Sequence, residues 1–260
     1  MTLGISHLLA LSGFHLGVLS ALLYFLFRPL YRFLQNRFFP YRSYTRDAFF
    51  FVALSLLGYL LFVDSPPSLL RAFIMLLVGF YLYDRGYKVI SLQTLLLSIL
   101  LLLAFFPRLF FSLGFWLSIS GVYTIFLYFH SFQPKGRFTE YLLLPLWIYV
   151  MMLPLSLYLF ENFSLYHPLS TLWTLLFTLF YPLSILLHLF GFGDLFDPLL
   201  LELFLLGEEG LQLSYPLWIF CIYIATALLA LHFRSTLWLS FIIALCLFGY
   251  ASFEVFASLK

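Results

Sequence analysis

Uncharged apolar stretches of membrane-spanning length recur from Gly4 almost to the C-terminus. About 20 helical residues cross a hydrocarbon core about 30 Å thick, so each stretch is a candidate span. Hydrophobic residues make up 64% of the chain and charged ones only 9%, against about 45–50% and about 25% in a soluble domain. A water-facing surface cannot be built from that. The expected fold is all-α: a polytopic transmembrane helix bundle of about 8–10 membrane segments, in one domain over residues 1–260.

Length, flanking charge and Pro/Gly punctuation predict helices near 4–27, 47–63, 66–84, 89–105, 110–130, 138–160, 167–190, 212–232 and 235–256. Residues 1–27 lack the basic start of a signal peptide and read as a retained helix. The segment 28–46 carries Arg28, Arg32, Arg37, Arg42 and Arg46 against no acid, which places it in the cytoplasm and the N-terminus outside. Pro182 falls mid-segment, so 167–190 is either a kinked single crossing or a broken, re-entrant helix. The second option returns the acidic stretch holding Asp194, Asp197, Glu202, Glu208 and Glu209 to the outer face and keeps Arg234 inside, and is favoured. Cys221 and Cys246 lack CxxC or Cys/His spacing and are expected to be buried, inert thiols. A net charge of +2 does not by itself indicate a polyanion partner.

The first helix is the most polar span. At 100° per residue Ser6, Ala10, Gly13, Gly17 and Ala21 form one narrow stripe that lets another helix approach closely. His7, Ser12 and His15 lie on other faces, with the two histidines about 12 Å apart along the axis, too far to share one metal ion. Buried ionisable groups at membrane depth are functional candidates, although interhelical hydrogen bonding explains His7 and His15 equally well. In the third helix, paired prolines suit a first turn. Arg71 then lies about one and a half turns inside, free to reach headgroups, to pair with Asp64, or to contact a phosphate. Gly114 and Ser118, four apart in the fifth helix, are a second close-packing signature. Gln93 and Thr94 read as solvated at the interface. No GxxxxGK[ST], GxSxG or HExxH motif and no clustered metal ligands are present. Neither enzymatic chemistry nor a cofactor or metal is therefore expected, and any energy source is external to the chain.

The Gly4–Gly17 run, GISHLLALSGFHLG, resembles the signature helix of the ComEC-type competence family, inner-membrane channels that import transforming DNA as a single strand. Pro67-Ser68-Leu-Leu-Arg71-Ala72 resembles that family's Ser/Arg-Ala helix start, and Gly114-Phe115 with Leu117-Ser118, preceded by Pro107, resembles its GF-x-LS motif. These anchors lie within residues 4–121. Phe106 stands where the family often has an acid, Trp116 where it usually has glutamine, and no asparagine precedes Pro182, so three polar groups are lost from the implied pathway.

The resemblance implies a channel component for single-stranded DNA that works without covalent chemistry. His7, Ser12, His15, Ser68 and Arg71 are the implied phosphate-contacting residues, Trp116 the implied base-stacking ring, and Ser118 a further pathway residue. Gly13, Gly17 and Gly114 are the packing positions. The implied partners are single-stranded DNA, an external DNA receptor, a cytoplasmic DNA-translocating ATPase and the lipid bilayer, with a homo-oligomer also compatible. Full-length members commonly add an oligonucleotide-binding-fold domain and a metallo-β-lactamase-like domain, neither of which is expected here. Alternatives are a secondary transporter for a small polar solute with a midplane site near Pro182, a family paralogue that has lost transport, and a membrane enzyme using the acidic stretch.

Overall fold

The computed structural model describes residues 13–64, 66–89, 91–132, 136–164, 168–205 and 211–258. They form ten α-helices: α1 (Gly13–Phe38), α2 (Tyr44–Phe62), α3 (Pro67–Asp84), α4 (Leu92–Phe105), α5 (Leu113–Ser131), α6 (Arg137–Phe160), α7 (Leu169–Leu189), α8 (Asp197–Leu205), α9 (Leu217–Leu229) and α10 (Arg234–Ser258), with 3-10 turns at Pro107–Phe111 and Gly193–Phe196. A two-residue antiparallel ladder, Asn162–Phe163 (β1) with Leu211–Gln212 (β2), is the one sheet among the described residues. Among the described residues five helical segments are long and apolar enough to cross a membrane: His15–Phe38, Tyr44–Phe62, Leu113–Ser131, Leu142–Phe160 and Arg234–Ser258. The all-α polytopic bundle is borne out.

The helices form two compact units. In the first, comprising residues 13–116 and 176–195 of the described chain, α1 packs on α2 and α3, α2 packs on α3, and α3 packs on α4. Leu16, Val52, Leu56, Leu60, Leu69 and Phe73 fill its core. The basic segment expected as a loop is mostly helix. α1 runs through Pro29 to Phe38, because its Leu, Arg and Gln residues favour helix and Pro29 removes only one ladder bond. Two ion pairs then tie the helix ends together. Asp47 accepts from Arg42 at 2.7 Å and also from the Tyr31 hydroxyl, while Asp84 accepts from Arg46 at 2.8 Å. The Asp47 carboxylate also holds the Arg42 guanidinium above its ordinary pKa.

Thr94, expected to be solvated, is instead buried. Its hydroxyl bonds Lys88 O at 3.1 Å, and Ser91 caps the helix through the Thr94 amide at 3.2 Å. An N-cap hydroxyl satisfies a backbone donor that has no partner within the helix.

The second unit contains residues 117–175 and 196–258 of the described chain. Here α6 packs on α9 and α10, and α9 packs on α10, around Leu127, Trp147, Met151 and Leu237 in one cluster and Leu153, Leu157, Phe163 and Ala251 in another. Pro154 inside α6 has no amide to donate and disturbs the preceding turn. Tyr223 donates to Met151 O in that turn, and Tyr215 donates to Pro154 O at 2.5 Å. Trp147 Nε1 donates to Thr124 O at 3.0 Å, and Tyr123 to Ala227 O at 2.8 Å. Cys221 and Cys246 are exposed rather than buried; a thiol facing lipid leaves no strong polar group unsatisfied.

The favoured break at Pro182 does not occur, for α7 runs unbroken from Leu169 to Leu189 with Pro182 inside it. A single missing amide is tolerated in a helix flanked by apolar turns. Asp194, Asp197 and Glu202 are each exposed, whereas Glu208 and Glu209 lie outside the described residues.

At Gly13 α1 and α3 approach closely, since a Cβ there would stand 3.0 Å from Ala72 Cβ, whereas one at Gly17 would meet nothing within 4 Å. Gly13→Val is therefore expected to lower the melting temperature in detergent, at a cost of about 1–3 kcal/mol for overpacking, while Gly17→Val leaves it near wild type. Paired thermal-unfolding curves check this.

Candidate functional site

α3 starts at Pro67, whose fixed φ suits a first helical position. Ser68 is half-buried in that turn, and Arg71 follows three residues later, 7% exposed. Neither route expected to satisfy Arg71 is taken. Its burial keeps it from headgroups, and the ion pairs among the described residues do not join it to Asp64. Its Nε is buried without a hydrogen-bond partner among the described residues.

The guanidinium lies against the first turn of α5. A Cβ at Gly114 would stand 3.6 Å from Nη2 and 3.8 Å from Nη1 of Arg71, with Ser112 Oγ also at 3.8 Å. Any larger residue at 114 would cover the cation. Ser112 O accepts the amides of Phe115 and Trp116 at 3.0 and 3.4 Å. The amides ahead of them, at Leu113 and Gly114, belong to the turn whose N–H groups find no acceptor within a helix. A buried guanidinium and the positive end of a 19-residue helix thus converge, and both favour an anion. A buried cation with no acidic partner, as Arg71 is among the described residues, is costly, and a phosphodiester or carboxylate at this point would lower that cost.

His15 on α1 is 4% exposed. Its ring meets Phe177 edge-on at 5.3 Å and Tyr181 at 4.8 Å, and Tyr181 in turn shares a hydrogen bond with Tyr59. The close α1–α3 contact at Gly13 and Ala72 joins the helix that carries His15 to the helix that carries Arg71. Trp116 is 42% exposed; its Nε1 donates to Phe110 O at 2.8 Å, and its ring stands edge-on to Phe110 and Phe115. The indole N–H therefore closes the 3-10 turn onto α5, leaving part of the ring open. Ser118 is half-buried one turn beyond Gly114 on α5, in the second unit. His7 and Ser12 lie outside the described residues.

Sequence reading missed Ser112, which shares the surroundings of Gly114 with the guanidinium, and the aromatic surround of His15. Tyr59, Phe177 and Tyr181 come from distant helices, and no local pattern signals them.

Residues 1–254 match the family described as Competence protein. The chain belongs to the competence protein family. ComE operon protein 3 of Bacillus subtilis (strain 168) is 32% identical over 167 residues, 63% of this chain. The chain spans 20% of the length of that relative. No solved structure matches it. The family resemblance read from the Gly4–Gly17 run and the two later motifs is borne out, and this competence-family chain is a multi-pass membrane protein.

In a competence-family protein with this arrangement, Arg71→Met is expected to leave the melting temperature in detergent equal to or above wild type, because an unpaired buried charge gives way to an apolar chain of similar length. An arginine held in a structural ion pair behaves oppositely: removing one partner of a buried pair costs about 3–5 kcal/mol. Thermal unfolding of the purified variant distinguishes the two.

Proposed function

We propose that this chain forms part of the path by which single-stranded DNA crosses the bacterial inner membrane during competence, with its N-terminus outside. The observation that carries this reading is the buried Arg71 guanidinium, without an acid among the described residues, set beside the first turn of α5 in a member of the competence family. A DNA strand carries one phosphate per nucleotide, and such groups bind guanidinium and helix N-termini. His15, Ser68 and Ser118 are further polar side chains on α1, α3 and α5, Trp116 offers a face for a base, and the family resemblance assigns the same role to His7 and Ser12. The chain acts by translocation without covalent chemistry or cofactor. An external receptor delivers the DNA, and a cytoplasmic ATPase draws the strand inward. The solute-transporter reading leaned on a broken helix at Pro182, and the continuity of α7 removes that support.

The test is transformation of a host deleted for the gene and complemented with intact chain, Arg71→Met, Arg71→Lys or Gly114→Leu, following labelled DNA into the cytoplasm and scoring surface-bound DNA separately. Import is expected to fall at least tenfold in Arg71→Met and Gly114→Leu, consistent with losing a charged hydrogen bond of about 1.5–3 kcal/mol, and less in Arg71→Lys. Surface binding stays unchanged. Normal import by well-expressed Arg71→Met overturns the reading.

A further inference from the structure

At the basic end of the first unit, α1, α2 and α3 leave a groove between them of about 420 Å³, within the range of about 300–1,000 Å³ usual for small-molecule sites. Ala21, Val52 and Leu76 line its apolar part together with Phe49 and Phe80, whose rings stack at 3.4 Å. Its polar rim is Ser20, Tyr24, Thr45 and Tyr83. Thr45 and Tyr83 directly neighbour Arg46 and Asp84, the two residues of the ion pair that joins α2 to α3. The groove therefore opens beside the charged cluster.

Pairing decides which charges are left over. Asp47 and Asp84 take Arg42 and Arg46. Arg28, Arg32 and Arg37 are exposed on α1 with no ion pair among the described residues. Arg28 follows Tyr24 by four residues, and Arg32 follows Arg28 by four, so the two cations continue the α1 face that lines the groove by one and two turns. Arg32 also sits over the Tyr44 ring at 5.7 Å, and that ring contacts Tyr24 at 6.0 Å. An apolar slot thus leads up to a hydroxyl rim and then to two uncompensated guanidinium groups.

We infer that this groove binds one anionic phospholipid, with an acyl chain against Ala21, Val52, Leu76 and Phe80 and the headgroup phosphate held by Arg28 and Arg32. Toward the basic end the lining runs from apolar (Val52 and Leu76) to hydroxyl (Thr45 and Tyr83) and on to the cations Arg28 and Arg32, the order of a phospholipid from tail through ester region to phosphate; the Ser20 hydroxyl, at the apolar level, is taken by Gly17 O at 2.7 Å. A free phosphate would use only the last of them. A zwitterionic lipid has its own ammonium next to the phosphate, which offsets the attraction of the arginines. The site is separate from Arg71 and does not depend on the DNA reading.

The experiment is native mass spectrometry and thermal unfolding of the purified chain in neutral detergent, titrated with phosphatidylglycerol, phosphatidylcholine or glycerol 3-phosphate. Phosphatidylglycerol is expected to give a single retained adduct and to raise the melting temperature, and the other two are not. The Arg28→Gln/Arg32→Gln double variant is expected to weaken phosphatidylglycerol binding about tenfold or more, given that each basic residue near an anionic surface contributes about 1 kcal/mol. Ala21→Trp, which fills the slot and leaves the charges, is expected to abolish the adduct. Arg37→Gln removes the same charge beyond the groove and is expected to leave binding within twofold. Equal retention of phosphatidylcholine, an equal shift with glycerol 3-phosphate, or an equal loss in Arg37→Gln would each overturn the inference. So would unchanged binding in folded Ala21→Trp.

Discussion

A polar group carried into hydrocarbon has no water to turn to, and the packing of these helices follows from where each such group finds its partner. Helix formation answers for most of the backbone. The remainder is met by side chains reaching across. Tyr223 and Tyr215 supply donors to the turns on either side of Pro154 in α6, and Trp147 and Tyr123 reach carbonyls of neighbouring helices. Ser98 and Ser240 fold their hydroxyls back onto carbonyls of their own helices. At the basic end of the first unit the same requirement is met by ion pairs, which are only partly buried and so contribute modestly one by one. Their importance is geometric, since they fix three helix ends relative to one another.

Arg71 departs from this pattern. Beside it in the chain Ala72 packs against Gly13, and Gly114 lies against the guanidinium. Small residues there do two things at once. They allow backbones to approach closely, and at position 114 they leave the guanidinium uncovered. A chain built for stability alone would place methionine or leucine at 71, because replacing buried charge by apolar volume is neutral or favourable. Holding a cation there makes sense if something anionic passes or binds.

Much of this was legible in the sequence, and what was not has a common cause. Apolar length and low charge sufficed for the helical bundle, and the GISHLLALSGFHLG run with the Arg71 and Gly114 motifs sufficed for the family. The spacing of Gly13 and Gly17 announced a packing stripe, yet only the partner helix decides which glycine is used, and of the two it is Gly13 that meets α3. The five arginines marked one end of the bundle correctly as basic. They did not mark a loop, because arginine is a good helix former and α1 continues through them. Pro182 was visible, but whether a proline breaks a helix depends on its tertiary surroundings. The partners of His15, and the acid at position 84 that takes Arg46, come from elements too distant in the chain for periodicity to register.

The ion pair at Asp84 also works as a depth gauge. From Asp84 back to Arg71 is thirteen residues along α3, or about 20 Å of helix rise, against a hydrocarbon thickness of about 30 Å. With α3 upright, the guanidinium stands about two-thirds of the way across, nearer the face opposite the arginines. An anion arriving from that face traverses about a third of the transmembrane voltage before it meets the cation, which at about 2.3 kcal/mol per charge per 100 mV amounts to about 0.8 kcal/mol. In the orientation and role proposed above, with the arginines on the negative interior side, that electrical work opposes the anion's inward step. A fixed positive charge at this depth offsets it where the opposing field would otherwise begin to accumulate.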